Sequence, residues 1–133
     1  RSTRDVGLPD GMGDDDYLQV LAVELTGMLG TFRPQLVLYD AGVDVHVKDS
    51  LGRLSLSDQG LSRRDLMVLD TCLAAGVPVA GYVGGGYADD LTVLADRHLH
   101  LHRAALQMWA DYQLGADPGP DPPAVWCGGL TYE

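Results

Sequence analysis

No apolar run in this sequence approaches the roughly 20 residues that a membrane-spanning helix needs, and the amino-terminal stretch lacks a secretory-signal pattern. A cytoplasmic setting is the default expectation. Cysteine is scarce, and Cys72 and Cys127 allow at most one disulfide. Cys72 falls inside a helical pattern and Cys127 in a loose carboxy-terminal stretch, so both are expected as free thiols. Basic residues are few, 9 Lys and Arg against 19 Asp and Glu. A surface of that sign repels phosphate backbones and anionic lipid, which argues against nucleic-acid and membrane partners. It weakly attracts cationic partners such as lysine-rich peptides or polyamines. Internal repeats are absent. So is an initiator methionine: the chain opens on Arg1, as expected of a sequence that begins inside a longer reading frame or has been processed.

What is present reads as one domain of modest core over residues 1–114, followed by a flexible tail over 115–133 rich in Gly and Pro. Asp14, Asp15 and Asp16 open a helix, where carboxylates suit the positive end of the helix dipole. Tyr17, Leu21, Leu25 and Met28 recur at helical spacing, flanked by Leu18 and Leu29, and Gly30 and Pro34 end the run. Leu36 to Tyr39 has strand length. A second helix is expected from a cap at Ser57 or Asp58 to Gly76, burying Leu61, Val68, Cys72 and Ala75 beside Leu66, Leu69 and Leu73. Val77 to Val83 is a second strand. A third helix starts near Asp89 and Asp90 and runs through Leu91, Leu94, Leu101 and Ala105 towards Trp109. Helix and strand alternate, and both strands are continuous apolar runs. That combination predicts an α/β fold, a parallel sheet with helices on both faces. Two strands do not complete such a sheet, so further strands are expected from a longer chain or another molecule.

In parallel sheets functional groups gather in the loops beyond the carboxyl ends of the strands. One such loop holds Asp40 to His46 and the other holds Gly84-Gly85-Gly86-Tyr87. If the strands are neighbours, Asp44 and Tyr87 share one rim. The glycines admit three readings. A phosphate cradle is disfavoured, because no lysine follows and Asp89 and Asp90 sit at the helix start. A tight turn is the plain alternative. The third is a close backbone approach that holds Tyr87 over a site, where its hydroxyl could donate to an oxyanion. Asp44 and His46 form an Asp-x-His pair that suits zinc, although the spacing taken alone favours a solvated or capping aspartate. His98 and His102 share a helix face but lack an acidic partner on it, and they read as surface or half-buried side chains.

These residues resemble a known family. Leu36-Val37-Leu38-Tyr39-Asp40-Ala41-Gly42-Val43-Asp44, continuing to Asp49-Ser50-Leu51-Gly52-Arg53-Leu54-Ser55-Leu56, is similar to the metal-ligand loop of histone-deacetylase-family proteins. Gly84-Gly85-Gly86-Tyr87 resembles that family's glycine-rich tyrosine loop. Gly60-Leu61-Ser62-Arg63-Arg64-Asp65 resembles the start of the intervening helix. The likeness runs from about Leu8 to Ala105 and is strongest to the class IV and bacterial branch.

The resemblance implies the C-terminal portion of an arginase/deacetylase-type fold and a zinc-dependent amide hydrolase acting on acyl-lysine or acylated polyamines. It matches Asp44 to the second aspartate ligand of the zinc and Tyr87 to the oxyanion tyrosine. Gly84, Gly85 and Gly86 match the loop that places that tyrosine, and His46 takes a loop position near the pocket mouth, where a substrate contact is conceivable. The family's adjacent His-His pair and first Asp-x-His ligands belong upstream, and this sequence has no two adjacent histidines. Zinc catalysis needs about three protein ligands, so this chain alone is expected to be inactive. Its natural partner would be the missing N-terminal part of the same domain. The alternative is a non-catalytic remnant or interaction module.

Overall fold

The computed structural model describes residues 2–115, in the order α1 (Asp14–Phe32), β1 (Val37–Asp40), α2 (Asp58–Ala74), β2 (Val79–Tyr82) and α3 (Leu91–Asp111). The expected tail beyond Gly115, with Trp126 and Cys127, lies outside the described residues. Cys72 is a buried free thiol.

Each helix begins and ends for a local reason. Three aspartates occupy the first turn of α1. At its other end Arg33 adopts a left-handed conformation and its N–H bonds back to the Leu29 carbonyl at 3.0 Å, just before Pro34. Ser57 caps α2 by accepting from the Gly60 N–H at 3.1 Å. The same serine donates its hydroxyl to Asp14 at 2.6 Å and its N–H at 2.8 Å. Asp14 therefore fastens the start of α1 to the start of α2. Gly76, at φ 70°, closes α2 with an N–H bond to Leu73. Asp90 caps α3 by accepting from the Thr92 N–H at 2.8 Å.

The two strands are parallel neighbours, with Val37 opposite Val79 and Asp40 opposite Tyr82. Because side chains alternate along a strand, Val37, Tyr39 and Val79 turn to one face, where all three helices meet them. Leu25, Val68 and Cys72 pack there on one side. Ala41, Leu69, Leu101, Ala104 and Met108 pack on the other. Gly81 lets α3 come close, since a Cβ there would lie 2.9 Å from Leu101. The opposite face carries Leu38, Ala80 and Tyr82. It receives no helix from the described residues, and Leu38 is 68% exposed and Tyr82 49%. A third cluster of Val43, Leu56 and Leu61 sits under the loops that leave the strands.

The buried stripe of α3 differs from the expected one. Arg97, Leu101, Ala104 and Met108 are buried, while Leu91, Ala105 and Trp109 face outward. The arginine hides the stripe from a reading that looks for apolar residues only. In α2 the expected face is buried apart from Ala75, which is exposed at the helix end.

Candidate functional site

The strand pairing does not stop where the strands do. The Ala41 N–H donates to the Tyr82 carbonyl at 3.0 Å, and the Val43 N–H donates to the Gly85 carbonyl at 2.6 Å. The loops after β1 and β2 are thus zipped together. Asp44 and the glycine run come to lie side by side on the rim of the sheet.

The glycines are required by what crowds them. A Cβ on Gly84 would stand 1.8 Å from an Asp40 carboxylate oxygen. One on Gly85 would stand 2.8 Å from an Asp44 carboxylate oxygen. Gly86 adopts φ 153°, where L side chains are rare, and a Cβ would meet Val43 at 2.4 Å. Of the three readings open in the sequence, the geometry supports the close backbone approach. Two carboxylates against the loop make a poor phosphate cradle. From the other side, Gly52 presses on Asp44: a Cβ there would sit 1.8 Å from its carbonyl oxygen.

Beneath the loop after β1 lies a buried polar set. Arg64 donates to the Gly42 carbonyl at 2.6 Å, to the Ala41 carbonyl at 3.3 Å and to Asp65 at 2.9 Å. Tyr39 donates its hydroxyl to the same Asp65 oxygen at 2.5 Å. Burial pushes the Tyr39 phenol pKa up strongly, although the Arg64 charge opposes it, and the side chain stays a neutral donor. A buried guanidinium on two carbonyls fixes the backbone just ahead of Asp44. The sequence hinted at this only through the Arg-Asp pair at a helix start, with no role attached.

Asp44 and Tyr87 are both exposed on the rim. His46 goes elsewhere. It is 3% exposed, its Nδ1 accepts the Lys48 N–H at 3.1 Å, and its Nε2 lies 3.4 Å from the Asp58 carboxylate. Burial lowers its pKa, Arg97 adds to that, and Asp58 only partly opposes them, so the imidazole is neutral at pH 7. His98 lies half-buried below Gly86, and burial followed by Arg64 lowers its pKa too. His102 is exposed, so the two helix histidines do not form a common site.

Among the described residues no group of three or more His, Cys, Asp or Glu is placed to hold a metal ion. As a donor set the rim fits zinc in part. Asp44 could offer one oxygen ligand, and the remaining ligands would have to come from beyond the described residues.

The histone deacetylase domain family matches residues 1–102 of the chain. The chain belongs to the histone deacetylase family. A histone deacetylase 2 of Arabidopsis thaliana is 33% identical over 102 residues, which are 76% of this chain and 26% of the plant protein. An uncharacterized protein of Picosynechococcus sp. is 54% identical over 109 residues, 82% of this chain and 36% of that protein. Among solved structures, the histone deacetylase Clr3 superposes with a TM-score of 0.58 at 26% identity, covering 74% of this chain and 16% of that one. The HD domain of HDA15 gives the same TM-score at 28% identity, over 73% and 27%. The fold is therefore that of deacetylase domains, a parallel α/β sheet. The chain spans little more than a third of the length of the cyanobacterial relative and about a quarter of the plant one.

Proposed function

We propose that this chain is the C-terminal part of a zinc-dependent deacetylase domain and that it contributes Asp44 and Tyr87 to the active site. The observation that carries the reading is the closeness of the Asp44 carboxylate to Gly85, where a Cβ would stand 2.8 Å from it, on the rim that also bears Tyr87. Membership of the histone deacetylase family gives that juxtaposition its chemical meaning. Asp44 would be one ligand of the zinc, and a bound zinc supplies carbonyl polarisation and water activation. Tyr87 is held at its backbone with the ring free, and its hydroxyl would donate to the oxyanion that forms when the amide carbonyl is attacked. Gly84, Gly85 and Gly86 let the tyrosine loop come within contact of the ligand carboxylate. His46, in this account, supports the loop after β1 from below.

Substrates are acylated amines, either acyl-lysine or an acylated polyamine, and the net charge of −10 favours cationic molecules of that kind. The histidine pair and the other zinc ligands would lie upstream, in a segment that packs on the open sheet face around Leu38, Ala80 and Tyr82. Without that segment the chain is inactive. A complete domain, assembled from this chain and an upstream segment carrying those groups, should hydrolyse acetyl-lysine peptides or acetylated polyamines, and chelation should abolish the reaction. Robust activity after complete zinc removal would refute the reading. The second reading is a non-catalytic remnant of the same fold. It predicts that no assembly of this chain turns over either substrate.

A further inference from the structure

We propose that Asp49 is a positioning residue of this site, whose carboxylate clamps the backbone of Tyr87 to the loop that carries Asp44. The inference rests on the reading of Tyr87 as the oxyanion donor. It concerns what fixes that tyrosine in place.

One carboxylate spans two segments 38 residues apart in the chain. Its Oδ2 accepts the Tyr87 N–H at 2.6 Å, and its Oδ1 accepts the N–H groups of Leu51 at 2.9 Å and Gly52 at 2.8 Å. The last two close an Asx-type turn, and Gly52 in turn rests on the Asp44 carbonyl. Asp44, Gly52, Asp49 and Tyr87 thus form one continuous chain of contacts. Both Asp49 oxygens accept from backbone donors, so the residue acts as a bracket between the two segments. Partial burial pushes the Asp49 pKa up, but the N–H groups of Tyr87, Leu51 and Gly52 and the nearby charge of buried Arg97 outweigh it. The net shift is downward, and the carboxylate stays ionised through the neutral range. Bonds from N–H groups to an ionised carboxylate are the stronger kind.

The bracket matters because the Tyr87 ring is not held by packing. The residue is 58% exposed, and the glycine before it is the most conformationally free residue type. Backbone anchoring is what decides where the hydroxyl stands. A displacement of about 1 Å at a catalytic group can cost on the order of a hundredfold in rate.

Asp49→Asn tests this with little change of shape. One side of the amide cannot accept, so either Tyr87 or the Leu51 and Gly52 pair must lose its bond. In the chain itself, the expected result is an upfield shift and faster exchange of either the Tyr87 amide proton or the Leu51 and Gly52 pair relative to wild type, with helix amides unmoved. Unchanged Tyr87, Leu51 and Gly52 amides would overturn the bracket. Should the variant not fold, acid titration of the wild type gives the same answer. The three amides should move together with one midpoint below the ordinary aspartate range, and separate midpoints would overturn the proposal.

In the complete domain, Asp49→Asn should lower kcat by about 10–100-fold with zinc content and KM retained. If Tyr87→Phe is severe while Asp49→Asn leaves kcat at wild type, the positioning role is wrong and the deacetylase reading stands. If both leave turnover intact, the reading of Tyr87 fails, and the bracket is judged on the amide measurements alone.

Discussion

The Val43 N–H and the Gly85 carbonyl meet at 2.6 Å, and this bond joins the residue beside Asp44 to the glycine on which any Cβ would crowd the Asp44 carboxylate. Sheet pairing carried past the ends of β1 and β2 is what builds the rim. Changes that spoil this zipper should therefore act on the site more than on the helices.

Gly84→Ala is the first such change. Its Cβ would fall on the Asp40 carboxylate, and the Gly42 amide nitrogen lies within 2.9 Å of the same point, so a side-chain shift alone does not make room. We expect a loss of about 1–3 kcal/mol, the ordinary cost of overpacking, and displaced amide signals from Asp40 to Val43. Urea unfolding and a two-dimensional amide spectrum check both. A spectrum changed only at residue 84 would contradict the close approach.

Arg64→Met removes the guanidinium that holds two carbonyls and leaves Asp65 buried without its cation. Breaking such a buried pair costs on the order of 3–5 kcal/mol. Equilibrium unfolding of the complete domain in urea measures it. A double change of Arg64→Met with Asp65→Leu should recover part of the loss, because no buried charge is then stranded. The loop ahead of Asp44 should stay loosened in both variants.

Stability should fall on mild acidification because of His46 and His98. Burial lowers the pKa of each in the folded chain, whereas the unfolded chain takes up protons near the ordinary value of about 6.5. The unfolded state thus binds more protons below that pH. The histidine contribution is complete above about pH 6.5 and is lost progressively as pH drops towards the folded pKa values. The melting temperature should decline between about pH 7 and pH 5, and His46→Gln should make the decline shallower. An identical slope in wild type and variant would show that His46 is not the neutral, buried group described here.

Taken alone, the chain should unfold over a broad urea range and bind a hydrophobic dye. Its sheet leaves Leu38 and Tyr82 open on a face that receives no helix from the described residues. Fluorescence of the dye with and without an upstream segment is the check. A steep unfolding transition without dye binding would contradict the idea that this face awaits a partner segment.

Much of this architecture is legible in the sequence. The Asp14 and Asp90 starts, the Ser57 cap, the Gly76 stop and both strands announce themselves through turn and capping chemistry, which acts over a few residues. The α3 stripe is less legible, because a buried Arg97 interrupts the apolar pattern and moves the apparent face. Asp44 and Tyr87 can be picked out as rim residues because parallel sheets place their loops at one edge. The contacts that hold them cannot. Nothing local says that Asp40 presses on Gly84, that Arg64 reaches the Ala41 and Gly42 carbonyls, or that Asp49 bridges to Tyr87. Asp49 left one local trace, an aspartate three residues before a glycine, which fits an Asx turn but does not tell of its second partner. His46 beside Asp44 suggests a shared role on spacing alone, and the loop turns its side chain down to Lys48 and Asp58.

The most direct test of the account compares Asp44→Ala with Tyr87→Phe in the complete domain, measuring bound zinc and turnover of an acetyl-lysine peptide on each. Asp44→Ala is expected to lose zinc and activity together. Tyr87→Phe is expected to keep its zinc and its KM but lose turnover, because the hydroxyl acts mainly in the transition state. Full zinc and full turnover in Asp44→Ala would contradict the assignment of this rim as part of the active site.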